Sequence, residues 1–246
     1  MLPWKSFVAT PYNEHYNGAY ADRDIEWRRL TGRGIAKHIQ KVLGSRASEI
    51  DTVLDAGCGT GIVIHELAKL GVGKHFTGVD LADPNEHITP ELKGAPNVVL
   101  ESYDGVTLPY LARSFDLVFA SHVLEHVQDE RQFLGQIARV AKNLIYVEVP
   151  TELNLLTGRD RMQLTLDIGH LNAYTPESLM LTLETSGMRV IGWQLFDIDS
   201  HVRTFQSGST AAVVRGLVKG AMLKINPLFA SRLFTFHCAA LCVPAP

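Results

Sequence analysis

The chain has 246 residues, 46% of them apolar and 20% charged, with a formal charge of -3 at neutral pH. Such a composition excludes a disordered or fibrous protein, and the length suffices for one sizeable α/β core. The slight acidity supplies no cationic field to recruit a polyphosphate backbone, which argues against nucleic acid as a partner.

The opening residues, Met1 to Lys5, are not the basic region and apolar stretch of a signal peptide, and no run of about 20 apolar residues is long enough to span a bilayer. Three cysteines, Cys58, Cys238 and Cys242, have neither disulfide nor metal-ligand spacing. A cytoplasmic setting with reduced thiols and no bound metal is therefore expected.

The first regular element is a helix from Ile25 to Leu43, with Trp27, Leu30, Ile35, Ile39 and Val42 near one face. Short, largely apolar runs then predict strands at Thr52–Ala56, Phe76–Leu81, Val98–Tyr103, Phe115–Ala120, Asn143–Val149, Arg189–Phe196 and Thr235–Val243. Between the first two, Val63, Ile64, Leu67 and Ala68 mark a helix. The loops 83–97 and 104–114 are rich in Pro and Gly and are expected to be irregular. Asp129 and Gln132 have capping-box spacing before a helix over Glu130–Lys142. Thr175 caps a third helix with Pro176 in its first turn, and Gly187 takes the left-handed conformation beyond its end. Strands alternating with helices imply a parallel sheet. Residues 1–24 and 200–232 are surplus to a minimal α/β domain.

The chemistry is carried by Asp55, Ala56, Gly57, Cys58, Gly59, Thr60 and Gly61, which connect a strand to a helix. Glycines at alternate positions let the backbone turn sharply and approach a ligand, and the helix start offers free amides. A dinucleotide fingerprint places its third glycine at 62, which is Ile62 here. Asp55 would repel a pyrophosphate but can attract an ammonium, so an amino-acid moiety suits the loop better.

With the residues that follow, this region resembles motif I of the class I S-adenosylmethionine-dependent methyltransferases. The resemblance implies that Asp55, Gly57, Cys58, Gly59, Thr60 and Gly61 hold the methionine part of S-adenosylmethionine. It implies that Asp80, with Leu81 beside it, accepts the ribose hydroxyls, that Asp104 and Gly105 meet the adenine, and that Ser121 lies at the cofactor end of the fourth strand. Gly169 to Leu179 resembles the subgroup of quinone- and polysaccharide-pathway enzymes. The implied fold is a Rossmann-like seven-stranded, mostly parallel sheet with flanking helices and an antiparallel last strand. The implied organisation is one domain over 1–246, with a helical cap at about 1–45 and an insertion at about 200–232.

Methyl transfer requires alignment of donor and acceptor and exclusion of water, and a hydroxyl acceptor gains from a nearby base. His170 and His122 are the candidates. His170 can equally fix its loop, and His122 can simply line the cofactor pocket. Glu125 and His126 read more readily as structural groups, and Asp55 and Asp80 can each be helix caps. Cys58 is the small residue its position demands. Tyr12, Tyr16, Tyr20 and Trp27 form a stripe that serves as packing or as a lid, and Arg28 or Arg33 can meet the cofactor carboxylate.

The expected partner is a small-molecule or glycan-precursor acceptor. Residues 211–224 form a short basic amphipathic pattern, suited to a solvated helix at the sheet edge, to peripheral membrane contact or to covering the acceptor. A nicotinamide-dependent oxidoreductase and a non-catalytic nucleotide-binding scaffold are the rival functions.

Overall fold

A computed structural model describes residues 6–8, 25–197 and 210–245. Seven strands form one sheet: β1 (Thr52–Ala56), β2 (His75–Asp80), β3 (Val98–Ser102), β4 (Phe115–Ser121), β5 (Ala141–Pro150), β6 (Met188–Phe196) and β7 (His237–Pro244). Their spatial order is β3-β2-β1-β4-β5-β7-β6. All neighbours are parallel except that β7 runs antiparallel to both β5 and β6. The expected sheet, including its antiparallel last strand, is thus present.

Seven α-helices flank it among the described residues: α1 (Ile25–Leu43), α2 (Ile62–Lys69), α3 (Glu130–Val140), α4 (Arg159–Asp167), α5 (Pro176–Glu184), α6 (Thr210–Ile225) and α7 (Pro227–Leu233). Ile35, Ile39 and Leu43 of α1 pack with Ile64 and Leu67 of α2 against Val53, Leu117, Phe119 and Tyr146 on one sheet face. Phe133, Leu134 and Ile137 of α3 and Leu179 and Leu183 of α5 cover the other, against Leu54, Val118 and Ile145. Burial on both faces explains why the central strands are continuously apolar.

Several boundaries differ from expectation. Helix α3 ends at Val140, because Ala141 already pairs with Phe115 of β4 and the backbone carbonyls of Arg139 and Val140 accept from Arg113 and Ser114. The loop 83–97 contains two single-turn 3-10 helices, Pro84–Glu86 and Pro90–Leu92, each started by a proline. Helix α4 was not expected, and it buries none of its residues, so no apolar period announced it. Described residues of the surplus segment form α6 and α7, with Asn226 capping α7 through a bond from the Phe229 amide. Of the three cations on α6, Lys219 is turned inward, 2.5 Å from Asp197 and 4.4 Å from the Phe236 ring centroid. Residues Tyr12, Tyr16 and Tyr20 lie outside the described residues.

Candidate active site

Strands β1 to β5 end along one edge of the sheet, and β7, being antiparallel, begins there. A cavity of about 820 Å³ opens at this edge under α1. At its β1 side, Gly57, Gly59 and Gly61 have φ of +96°, +51° and +75°. The Gly57 and Cys58 amides donate to the Val79 carbonyl at 2.8 and 3.0 Å. Asp80 closes the arrangement: its carboxylate accepts from the Gly59 amide and the Leu81 amide, both at 2.8 Å. A Cβ on Gly57 would stand 2.3 Å from Val123 Cγ2, and one on Gly105 2.5 Å from Leu81 Cδ2. Glycine is therefore required at Gly57 by space as well as by conformation, and favoured at Gly105 by its φ of +77°.

Of the residues singled out in the sequence, Gly57, Cys58, Gly59, Thr60, Asp80, Leu81, Asp104, Gly105, His122 and His170 all line this one cavity. Asp55, Gly61 and Ser121 are not in its wall. Asp55 is 3% exposed, and burial, followed by the charge of Asp80, pushes its carboxyl well above the usual range. Burial also pushes the Cys58 thiol far up, so it offers no thiolate. Asp104 uses one oxygen to accept from the Val106 and Thr107 amides, fixing a turn at the rim. Trp27 and Arg28 line the cavity from α1, whereas Arg33 faces a separate shallow depression with Glu66 and Glu91.

The other half of the cavity is a histidine-rich chamber. Just past β4, His122 holds φ of +56°, a strained value for a side-chain-bearing residue, while its amide donates to the Glu148 carbonyl. Its Nδ1 lies 3.3 Å from Glu125 Oε1 and its Nε2 3.7 Å from Glu148 Oε1. Burial alone would depress the imidazole, but the two carboxylates outweigh it and push His122 up to about 10. It therefore carries a proton at neutral pH. His170 differs: its Nδ1 faces Glu152 Oε2 at 2.8 Å, which leaves Nε2 as the acceptor nitrogen when Nδ1 holds the proton. His126 directs Nδ1 to the Gly169 carbonyl at 3.0 Å and meets His170 edge to face.

Sequence reasoning passed over His38, Glu148, Glu152 and His237. Glu148 is wholly buried, takes the Tyr146 hydroxyl as a donor, and has His38 and His237 Nδ1 at 3.1 and 3.0 Å. Burial would raise its carboxyl, yet the surrounding His122, His237 and His38 hold it well below the usual range. A glutamate inside an apolar strand was the available signal. Two sets, His38–Glu148–His237 and Glu125–His126–His170, have donor atoms close enough to hold a metal ion.

A family model described as a methyltransferase domain matches residues 26–192, well over half of the chain. The chain belongs to the class I methyltransferases. A ubiquinone biosynthesis O-methyltransferase from Hahella chejuensis is 36% identical over 94 residues, 37% of this chain and 38% of that protein. The match thus spans little more than a third of that curated relative. The ajmaline N-methyltransferase of Rauvolfia serpentina is 25% identical over 187 residues, covering 68% of this chain and 64% of that one. A solved SAM-dependent methyltransferase from Aquifex aeolicus shares the fold with a TM-score of 0.56 at 16% identity, over 94% of this chain and 98% of that chain.

Proposed function

We propose that this methyltransferase-family chain transfers a methyl group from S-adenosylmethionine to a hydroxyl oxygen of a small-molecule or glycan-precursor acceptor. The observation that carries the reading is the continuity of one cavity, with the glycine loop and Asp80 at one end and the His170–Glu152 pair at the other. Its volume lies within the range of sites that enclose small ligands.

The residues present suit the cofactor. Gly57, Gly59 and Gly105 present bare backbone to the cavity, and Asp80, with two amides on its carboxylate, retains lone pairs for ribose hydroxyls. Leu81, Gly105 and Val106 line the cavity where the base would lie. Cys58, Gly59 and Thr60 take the amino-acid end, while Asp55, Gly61 and Ser121 support that wall from behind. When bound, the cofactor supplies an activated methyl group on a sulfonium. The chain aligns the acceptor, excludes water beneath α1 and receives the hydroxyl proton at His170 Nε2, with Glu152 fixing the ring and stabilising the imidazolium. His122, held between the Glu125 and Glu148 carboxylates, lines the cavity beside the acceptor.

Oxygen is favoured over nitrogen by this dyad and by the likeness to the ubiquinone biosynthesis O-methyltransferases; an amine acceptor, as named for the ajmaline relative, needs less help from a base. The family assignment sets the nicotinamide rival aside. No described helix is long and apolar enough to cross a membrane. The inward Lys219 favours α6 as a helix packed at the sheet end over one lying on lipid.

Calorimetry tests the reading. S-adenosylmethionine and S-adenosylhomocysteine are expected to bind, with Asp80→Ala weakening both by about 10- to 100-fold, the worth of one or two charge-assisted hydrogen bonds. With a hydroxyl acceptor found by labelling a cell extract, His170→Ala is expected to lower kcat by about 100-fold or more, and Glu152→Gln by less. Micromolar NAD binding without binding of either sulfur nucleoside overturns the assignment, and a folded protein that binds but labels nothing is the scaffold.

A further inference from the structure

We propose that His38, Glu148 and His237 form a divalent-metal site of the zinc class at the floor of the histidine chamber, open towards the acceptor. The three side chains come from α1, β5 and β7, distant in sequence and joined only by the fold. One donor atom from each lies within 4.8 Å of the others.

The distances fit a metal's coordination shell. Metal–nitrogen and metal–oxygen bonds of about 2.0–2.2 Å place tetrahedral donors about 3.3 Å apart. Here His237 Nδ1 is 3.0 Å and His38 Nδ1 3.1 Å from Glu148 Oε1. His122 Nε2 lies 3.3 Å from His237 Nδ1, beside the set. Hydrogen bonding alone leaves a deficit at this point. His237 Nδ1 carries at most one proton, yet it faces both a carboxylate oxygen and another ring nitrogen at bonding distance. A cation that receives every lone pair removes that conflict.

The supporting contacts are those a metal site needs. The His38 ring is stacked on Phe196, 3.9 Å between centroids and 11° from parallel. Tyr146 donates to the second Glu148 oxygen. Two imidazoles and a carboxylate are borderline ligands that suit zinc, iron(II) or cobalt(II) better than magnesium or calcium. Ligation through Nδ1 leaves each neutral ring its single proton on Nε2, so His38 and His237 need only change tautomer. Its part in transfer, polarising an acceptor hydroxyl so that the proton leaves more readily, rests on the reading above. The binding site itself does not.

The test is titration of the full chain, dialysed against chelator, with Co2+ followed by its visible absorption, and with Zn2+ by calorimetry. One equivalent is expected, with an intense four- or five-coordinate cobalt band. His237→Ala and His38→Ala should each weaken binding by about 100-fold or more. His126→Ala, in the neighbouring Glu125–His126–His170 set, should leave band and affinity unchanged. Cooperative thermal unfolding of each variant shows that it is folded, independently of any cofactor. Absence of a bound equivalent in the folded parent protein overturns the proposal. So does binding that survives His237→Ala but is lost in His126→Ala.

Discussion

Gly57 shows how tightly a single position can be constrained. Its φ of +96° is disfavoured for any side-chain-bearing residue, and a methyl group there would collide with Val123. Gly57→Ala is expected to cost at least about 1–2 kcal/mol of stability, from backbone strain with the collision added. Adding Val123→Ala should recover the steric part and leave the backbone part. Thermal unfolding and S-adenosylhomocysteine calorimetry on the two variants check this; equal losses in both would show that Val123 is not the obstacle. The glycine loop was legible because its residue types perform their function through the backbone. Glu148 was not, since its partners His38 and His237 lie about 90 to 110 residues away and have no local pattern.

Strand ends are stitched together on the opposite edge by Asp116, the second residue of β4. One of its oxygens accepts from the Asp51 and Thr52 amides and the Thr52 hydroxyl, and the other from Lys142 and Asn143 of β5. Burial would raise this carboxyl, but the donors from Thr52, then Lys142 and Asp51, hold it below the usual range. A depressed carboxyl contributes stability above its unfolded value and loses it as pH falls through the folded one. Asp116→Asn is therefore expected to be less stable at pH 7, by about 1–3 kcal/mol, with the gap closing as acidification carries the pH below the ordinary carboxylate range and through the depressed folded value. Urea midpoints measured across that range decide it, and a gap independent of pH would sink the charge argument. The elements with clear punctuation matched expectation: α5 is opened by a Thr175–Ser178 capping box, and α1 has the bounds its apolar spacing indicated. Helix α4, with no fully buried residue, carries no such mark.

Across the molecule, α1 forms one wall of the cavity while its inner face completes the core. Ile39 has no exposed surface and packs among the residues of β1, β4 and α2. Ile39→Ala should destabilise the protein by about 2–5 kcal/mol, the usual cost of a cavity in a dense core, as read from denaturant unfolding. A loss under about 1 kcal/mol would mean that α1 is only loosely seated. Because His38 lies one residue away on the same helix, weakened seating should also disturb the chamber, and a lower affinity for added Zn2+ in this variant would report that coupling.

Periodicity, turn chemistry and the spacing of glycines are local properties, written within a few residues of one another. They sufficed to predict strands alternating with helices and the ligand loop after β1; the single seven-stranded sheet and the roles of Asp80 and Asp104 were implied by the family resemblance. Which histidines meet which carboxylates depended on strand order and on β7 entering between β5 and β6. That antiparallel insertion sets His237 opposite Pro150 and beside Glu148, a juxtaposition produced by pairing across the sheet and absent from any short stretch of chain.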